Sequence, residues 1–152
     1  MGKVNIREAN TNDMAILLQF EQGVIQAERP FDRTLGPDPI TYYDLGALMS
    51  NNQAIIVVAE YNGTIVGSGY ALTKLARHYL DHTHYAYLGF MYTSPEHRGR
   101  GINRMIIDFL KKWSEEKGLK EIRLTVYDEN ENAIRAYEKA GFKRHIIEMR
   151  ID

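Results

Sequence analysis

The sequence predicts a single α+β domain that spans residues 1–152 and is built around a mixed β-sheet. Three observations lead to this prediction. The chain has 152 residues, of which 44% are hydrophobic and 26% charged, and these values are ordinary for one globular domain. Strand-like and helix-like periodicities alternate along the chain. No change of composition, internal repeat or linker divides it.

The first half of the chain predicts a strand, two helices and a β-hairpin. Val4–Arg7 alternates like a strand, and the capping residues Thr11, Asn12 and Asp13 then begin a helix that ends before Pro30. The other predicted elements of this half are a loop over 29–39, a second helix over about 40–49, and strands over 54–59 and 65–74. The first of these two strands is continuously apolar, which is typical of a strand covered on both faces. The Asn-Gly pair at 62–63 predicts a type I′ turn between them, because both residues tolerate positive φ.

The second half predicts strands that alternate with helices. A strand over Tyr85–Thr93 ends before Pro95, which cannot donate to a sheet. Apolar residues from Ile102 to Trp113 then recur at helical spacing, and this helix ends near Gly118. The remaining predicted elements are a strand over 121–127, a short helix that ends at 140–141, and a last strand over Phe142–Ile151. The order is β-α-α-β-β-β-α-β-α-β.

Composition and charge exclude several classes of protein. The chain has no cysteine, so disulfides, thiolate metal ligands and an acyl-cysteine intermediate are excluded. The first residues contain no apolar leader segment, and we expect a cytoplasmic protein. A net charge of −1 gives no general attraction to nucleic acid or to anionic lipid, so neither is expected as a partner.

The most informative segment is the turn from Pro95 to Asn103, between a predicted strand and a predicted helix. Its two glycines let the backbone approach a ligand closely, and the helix that follows presents unpaired N–H groups and the positive end of its dipole. Arg98 and Arg100 add guanidinium groups that match phosphate oxygens. We therefore predict a phosphate site here, with a solvated surface turn as the alternative.

Two segments resemble the GNAT (Gcn5-related N-acetyltransferase) family. The turn is similar to that family's acetyl-CoA pyrophosphate loop, Arg/Gln-x-x-Gly-x-Gly/Ala, at Arg98, Gly101 and Asn103, although Asn103 stands where Gly or Ala is usual. Residues 130–142 resemble the family's Asn-x-x-Ala-x-x-x-Tyr-x-x-x-Gly-Phe segment. The resemblance covers nearly the whole chain. It implies a GNAT-like domain with a mixed central sheet of about six to seven strands and helices on both faces.

The resemblance also implies an activity, a donor and a set of site residues. The activity would be N-acetyl transfer from acetyl-CoA to a primary amine of a small molecule or peptide, directly within a ternary complex. Tyr137 is the implied general acid beside the departing sulfur, a role that suits a phenol protonated at neutral pH, while packing with Ile134 and Phe142 is the alternative. A homodimer is expected from the resemblance alone. The implied cofactor-binding residues are Met91, Tyr92, Thr93, Arg98, Gly99, Arg100, Gly101, Ile102, Asn103 and Asn130, the last with helix capping as its alternative role.

The group that deprotonates the acceptor ammonium is left open by the sequence. Many family members carry a carboxylate on the strand before the pyrophosphate loop, and Tyr87–Tyr92 contains none. A water relay is one alternative, and the candidate side chains are Glu21, Glu28, Glu60, Glu148, His82 and His84. The missing carboxylate motivates a rival function, a non-catalytic acyl-CoA-binding or sensing module. A nucleic-acid surface around Arg98 and Arg100 is a third alternative, which the net charge disfavours.

Two further patterns concern ligands. His78, His82 and His84, with Asp81 between them, are suitable zinc ligands by type, but they lie in a predicted loop and no metal site is expected. Between Glu21 and Asp44 five acidic residues suit a cationic amine, and they suit a solvated surface equally well. The two arginines of the same region, at 29 and 33, would instead suit a substrate carboxylate.

Overall fold

A computed structural model describes residues 2–152. Within this range the chain forms β1 (Val4–Glu8), α1 (Met14–Glu28), α2 (Leu45–Ser50), β2 (Ala54–Tyr61), β3 (Thr64–Leu75), β4 (His84–Thr93), α3 (Ile102–Glu116), β5 (Ile122–Leu124) and α4 (Glu131–Lys139). Short 3-10 turns occupy Thr11–Asp13, Arg29–Phe31 and Pro95–His97. None of the helices in residues 2–152 has the length and apolar character that crossing a bilayer requires.

The five strands form one mixed sheet in the order β1-β2-β3-β4-β5. Neighbouring strands are antiparallel except for β4 and β5, which are parallel and are joined by α3. Asn62 and Gly63 have φ values of 51° and 79°, as the type I′ turn between β2 and β3 requires. The mixed sheet is confirmed, with five strands in residues 2–152 rather than six to seven.

Helices cover both faces of the sheet, as predicted. Along β2 successive side chains point to opposite faces, so its continuous apolar run contributes to two cores. Ile55, Val57 and Ala59 belong to the core that includes α3, whereas Ile56 and Val58 belong to the core that includes α1 and α2. This double burial is why the run lacks the alternation of a strand with one solvated face.

The first two helices begin where side chains satisfy their free N–H groups. Asn10 accepts the N–H of Asn12, and Asp13 accepts the N–H of Asn10, which forms a capping box before α1. The second helix begins at Leu45, not at Ile40 as predicted, because the Asp44 side chain accepts the N–H of Ala47.

The predicted last strand, Phe142–Ile151, is wrong. The N–H of Phe142 donates to the carbonyl of Tyr137, and within residues 2–152 the backbone of 143–152 makes no hydrogen bond to other backbone groups. Its alternating pattern therefore has no neighbouring strand with which to pair. The strand predicted over 121–127 is also shorter, because only Ile122–Leu124 pair with β4.

Candidate active site

The turn between β4 and α3 presents a run of free backbone donors. Gly99 and Gly101 have φ values of 78° and 79°, which an L side chain rarely adopts, so the two glycines allow this path of the chain. The helix begins at Ile102. Within residues 2–152, none of the N–H groups from Gly99 to Arg104 has a hydrogen-bond acceptor. Such a run at a helix N-terminus is suited to bind an anion.

Two arginines flank these donors and are exposed. Arg98 donates from Nε to the carbonyl oxygen of Thr93 at 3.0 Å, and its guanidinium lies 5.8 Å from the centre of the Tyr92 ring. Arg100 lies 6.0 Å from the centre of the Tyr61 ring. The remaining guanidinium donors of both residues are free to bind phosphate oxygens.

The predicted cofactor residues of this turn differ in what they can offer. The Ile102 side chain is only 2% exposed and packs in the core beneath α3, so this residue can contribute its N–H alone. Asn103 is half-buried in the first turn of the helix and also has a free N–H.

A slot opens between β4 and β5 because their pairing stops halfway along β4. The last paired residues are Leu88 and Leu124, whereas β4 continues to Thr93. The register of β4 against β3 also shifts here, and Phe90 has a φ of 58°. This β-bulge is held by Ser68, whose hydroxyl donates to the Phe90 carbonyl at 3.0 Å. The edge of β4 beyond Leu88, which we call the free edge, is therefore not paired with β5.

Met91, Tyr92 and Thr93, which the sequence predicts as cofactor-binding residues, lie on this free edge. The Met91 side chain lies against β3 at Gly69 and also lines a cavity next to the slot. The Tyr92 ring packs on Phe20, with ring centres 4.8 Å apart. Because the Met91 and Tyr92 side chains pack against other parts of the chain, this edge offers mainly main-chain groups to a ligand.

A cavity of about 250 Å³ lies where α1, β4, β5 and the region of α4 meet. Part of its wall is apolar, formed by Val24, Leu88, Phe90, Met91 and Leu124. The rest is dominated by phenol rings, from Tyr42, Tyr43, Tyr70, Tyr87, Tyr127 and Tyr137. One carboxylate, that of Glu28, also lines it.

Tyr137 lies in this cavity. Its ring packs edge-on against Phe142 at 5.9 Å between centres, so the predicted packing role is also present. Its hydroxyl has no hydrogen-bond partner within residues 2–152 and is accessible from the cavity. Burial, followed by the negative charge of Glu28, raises the pKa of the Tyr137 phenol to about 12. The phenol is thus protonated at neutral pH and can donate.

Glu28, the last residue of α1, is the carboxylate of the cavity. Burial raises the pKa of its carboxyl above the ordinary value, which the neighbouring Tyr42 phenol partly opposes. The Tyr42 hydroxyl is itself buried and lies next to this carboxylate. A carboxylate whose pKa is raised is a better proton acceptor than an ordinary one. The sequence could not rank Glu28 above the other candidates, because its position depends on how α1 packs against β4.

The other candidate bases have different surroundings. Glu21 is buried and accepts the N–H groups of Tyr42 and Tyr43, and Glu60 pairs with Arg7 at 2.6 Å. The remaining candidates also lie outside the cavity lining: His82 contacts Asp81 and Glu121, His84 contacts Thr83, and Glu148 is exposed. Of the six candidate bases, Glu28 is the only one that lines the described cavity with Tyr137.

In the described residues, no group of three His, Cys, Asp or Glu side chains converges at the histidine-rich loop. Asn130 caps α4 by accepting the N–H of Ala133 at 3.4 Å, a long contact. Its predicted capping role is therefore present.

Comparison with known proteins assigns the family. A sequence model described as the Acetyltransferase (GNAT) family matches residues 21–142. The chain therefore belongs to the GNAT acetyltransferase family. It is 30% identical over 103 residues to a protein named acetyltransferase from Yersinia pestis (strain Pestoides F), in an alignment that covers 66% of this chain and 65% of that protein. The chain thus matches slightly less than two thirds of that relative's length.

Solved structures share the fold at low sequence identity. A predicted acetyltransferase from Clostridium acetobutylicum, solved with acetyl-CoA, has a TM-score of 0.77 and 20% identity, over 99% of this chain and 96% of that one. The aminoglycoside N-acetyltransferase AAC(6')-Iy, solved with CoA, has a TM-score of 0.73 and 16% identity, over 97% of this chain and 99% of that one. At this identity the likeness establishes the fold.

Proposed function

We propose that the protein is an acetyl-CoA-dependent N-acetyltransferase that transfers the acetyl group to a primary amine directly, in a ternary complex. One observation carries the proposal: the free edge of β4 joins the unpaired N–H groups of Gly99–Arg104 to the cavity that holds Tyr137 and Glu28. Two proteins with the same fold, solved with acetyl-CoA and with CoA, support the choice of donor.

The cofactor would lie along this path. Its pyrophosphate would accept hydrogen bonds from the N–H groups that begin at Gly99, with Arg98 and Arg100 adding charge. Its pantetheine arm would pair with the main chain of Met91–Thr93, which β5 leaves free. The Asn130 side chain, whose capping contact is long, is proposed to meet the same arm. The thioester then reaches the cavity.

The cavity supplies the proton transfers that the reaction needs. The acceptor ammonium gives one proton to the Glu28 carboxylate, and the neutral amine attacks the thioester carbonyl. A main-chain N–H of the free edge stabilises the oxyanion. The C–N bond forms and the C–S bond breaks as Tyr137 protonates the leaving thiolate. The phenol recovers its proton from the attacking nitrogen through water, and Glu28 releases its proton to solvent.

A thiol-release assay with acetyl-CoA tests this proposal, and the absence of cysteine in the chain means that the protein adds no thiol signal. We expect Tyr137→Phe and Glu28→Gln each to lower kcat by about 10²-fold or more, the usual effect of removing an acid or a base. Tyr79→Phe is the matched control, because Tyr79 is 66% exposed and lies outside the cavity. Unchanged rates in both cavity variants would exclude these roles.

The rival function is an acyl-CoA-binding or sensing module, which the missing carboxylate on the strand before the loop favours. Glu28 supplies a carboxylate from α1 instead, which favours the enzyme. Tight CoA binding without thiol release, for any amine of a broad panel, would favour the module.

We also propose a homodimer, supported by the surface of residues 143–152. Arg150 pairs with Asp32 of its own chain, whereas Ile147, Met149 and Ile151 are 83%, 88% and 101% exposed. Such a row of exposed apolar side chains is typical of an interface. Light scattering should give twice the chain mass of 17.5 kDa, and Met149→Lys should lower it. A mass of one chain at micromolar concentration would contradict the proposal.

The cytoplasmic location and the absence of nucleic-acid and membrane partners stay predictions from the sequence.

A further inference from the structure

The acidic residues near the cavity differ in whether the chain itself uses their charge. Four of the five between Glu21 and Asp44 accept hydrogen bonds from other groups of the chain: Glu21 from the N–H groups of Tyr42 and Tyr43, Asp32 from Tyr127 and Arg150, Asp38 from Arg29, and Asp44 from the N–H of Ala47. The Glu28 carboxylate, by contrast, lines the cavity with the neutral Tyr42 phenol as its neighbour, and no cationic side chain pairs with it within residues 2–152. A ligand therefore meets a single uncompensated negative charge.

Positive side chains do not compete for that charge in the cavity. No lysine, arginine or histidine of the described chain lines it. Arg29 pairs with Asp38 at 2.6 Å, and Arg33 is 85% exposed and pairs with Asp152. Lys74 stacks on the Tyr87 ring at 3.9 Å but does not line the cavity. A carboxylate on the ligand would thus have no cationic partner.

The rest of the cavity suits a cation with an apolar body. Aromatic rings bind an ammonium group through their faces, and this attraction is larger where water is excluded. The Tyr42 phenol beside Glu28 is neutral, so it leaves the negative charge of that carboxylate for the ammonium. The volume of about 250 Å³ accommodates a compact molecule.

We infer that the acceptor is a compact monoamine with an apolar or aromatic body, whose single ammonium group binds between Glu28 and the tyrosine rings. This inference rests on the proposed acetyl transfer at the same site. A second ammonium, or a carboxylate, would have no oppositely charged partner within the cavity, which is unfavourable. Polyamines, aminoglycosides and free amino acids are therefore poor acceptors, although AAC(6')-Iy, which shares the fold, is named for aminoglycosides.

Two matched pairs of amines, each differing by one charge, test the inference. Pentylamine and cadaverine differ by a second ammonium, and phenethylamine and phenylalanine differ by a carboxylate. We expect kcat/KM to be higher for the first member of each pair, by about tenfold or more, because the second member leaves a buried charge unpaired. Equal or higher kcat/KM for cadaverine or for phenylalanine would overturn the inference while leaving acetyl transfer intact.

Binding to the CoA-loaded protein separates this inference from the proposed function. Phenethylamine should bind more weakly to Glu28→Gln by about tenfold or more, whereas 2-phenylethanol, which has the same body and no charge, should bind equally to both proteins. Glu115→Gln, on the exposed face of α3, is the control. Selective binding of phenethylamine without acetyl transfer would sustain the inference and refute the enzyme. Failure of all these amines to bind would refute the inference.

Discussion

Replacing Glu21 with alanine tests how the wall of the cavity is held in place. The Glu21 side chain is 1% exposed and accepts the backbone N–H groups of Tyr42 and Tyr43 at 2.7 and 2.8 Å. A hydrogen bond to a charged acceptor contributes about 1.5–3 kcal/mol, so the pair contributes about 3–6 kcal/mol. Removing a buried charge offsets part of this loss. We therefore expect Glu21→Ala to lower the free energy of unfolding by about 3 kcal/mol, and Tm by about 6–12 °C.

Urea unfolding followed by the fluorescence of the single tryptophan, Trp113, measures this change. Glu21→Gln keeps one acceptor oxygen and should lose less, and Glu115→Ala, on the exposed surface, should be close to neutral. Because Tyr42 and Tyr43 line the cavity, Glu21→Ala should also raise the KM for the amine more than it weakens CoA binding. A loss below about 1 kcal/mol would refute the view that Glu21 anchors this wall.

Three further predictions concern other parts of the structure. A Cβ at Gly69 would lie 2.7 Å from Ile106 of α3, so Gly69→Ala should lower the free energy of unfolding by about 1–3 kcal/mol, as measured in urea. Gly36→Ala is the control and should be near neutral, because the nearest atom to a Cβ there is 3.6 Å away. Equal effects of the two substitutions would contradict the packing argument. Gly101→Val forces a β-branched residue to positive φ and should weaken CoA binding by about tenfold or more in calorimetry. Unchanged CoA binding would show that the turn around Gly101 is not the pyrophosphate site. Hydrogen bonds to Asp81 and, next in size, to Glu121 raise the pKa of His82. These contacts therefore stabilise the folded state at low pH, and the stabilisation is lost as pH rises through the pKa of the folded state. His82→Ala should therefore lower Tm at pH 6 and change it little at pH 9, and a larger effect at pH 9 would contradict this sign.

Local signals predicted the parts of the fold that local chemistry decides. The type I′ turn follows from the tolerance of Asn62 and Gly63 for positive φ, and the double burial of β2 follows from its unbroken apolar run. The donors after Gly99 could be predicted for the same reason, because the first turn of any helix leaves its N–H groups without intrahelical acceptors, and the apolar periodicity from Ile102 locates that turn.

Features that depend on distant partners were missed or left open. Residues 142–151 have the composition of a strand, but a strand also needs a neighbouring edge, and no local pattern shows whether one is available. The bulge at Phe90 depends on the hydroxyl of Ser68 in another strand. Glu28 looks like any polar residue at the end of a helix, and only the approach of α1 to the loop of Tyr42 and to β4 makes it part of a cavity.

A crystal structure of the protein with CoA tests the central claim most directly. We predict that the pyrophosphate oxygens lie within about 3.2 Å of backbone nitrogens in the Gly99–Arg104 run, and that the CoA sulfur lies about 3–4 Å from the Tyr137 hydroxyl. A pyrophosphate bound elsewhere, or a sulfur beyond the reach of that phenol, would contradict the account.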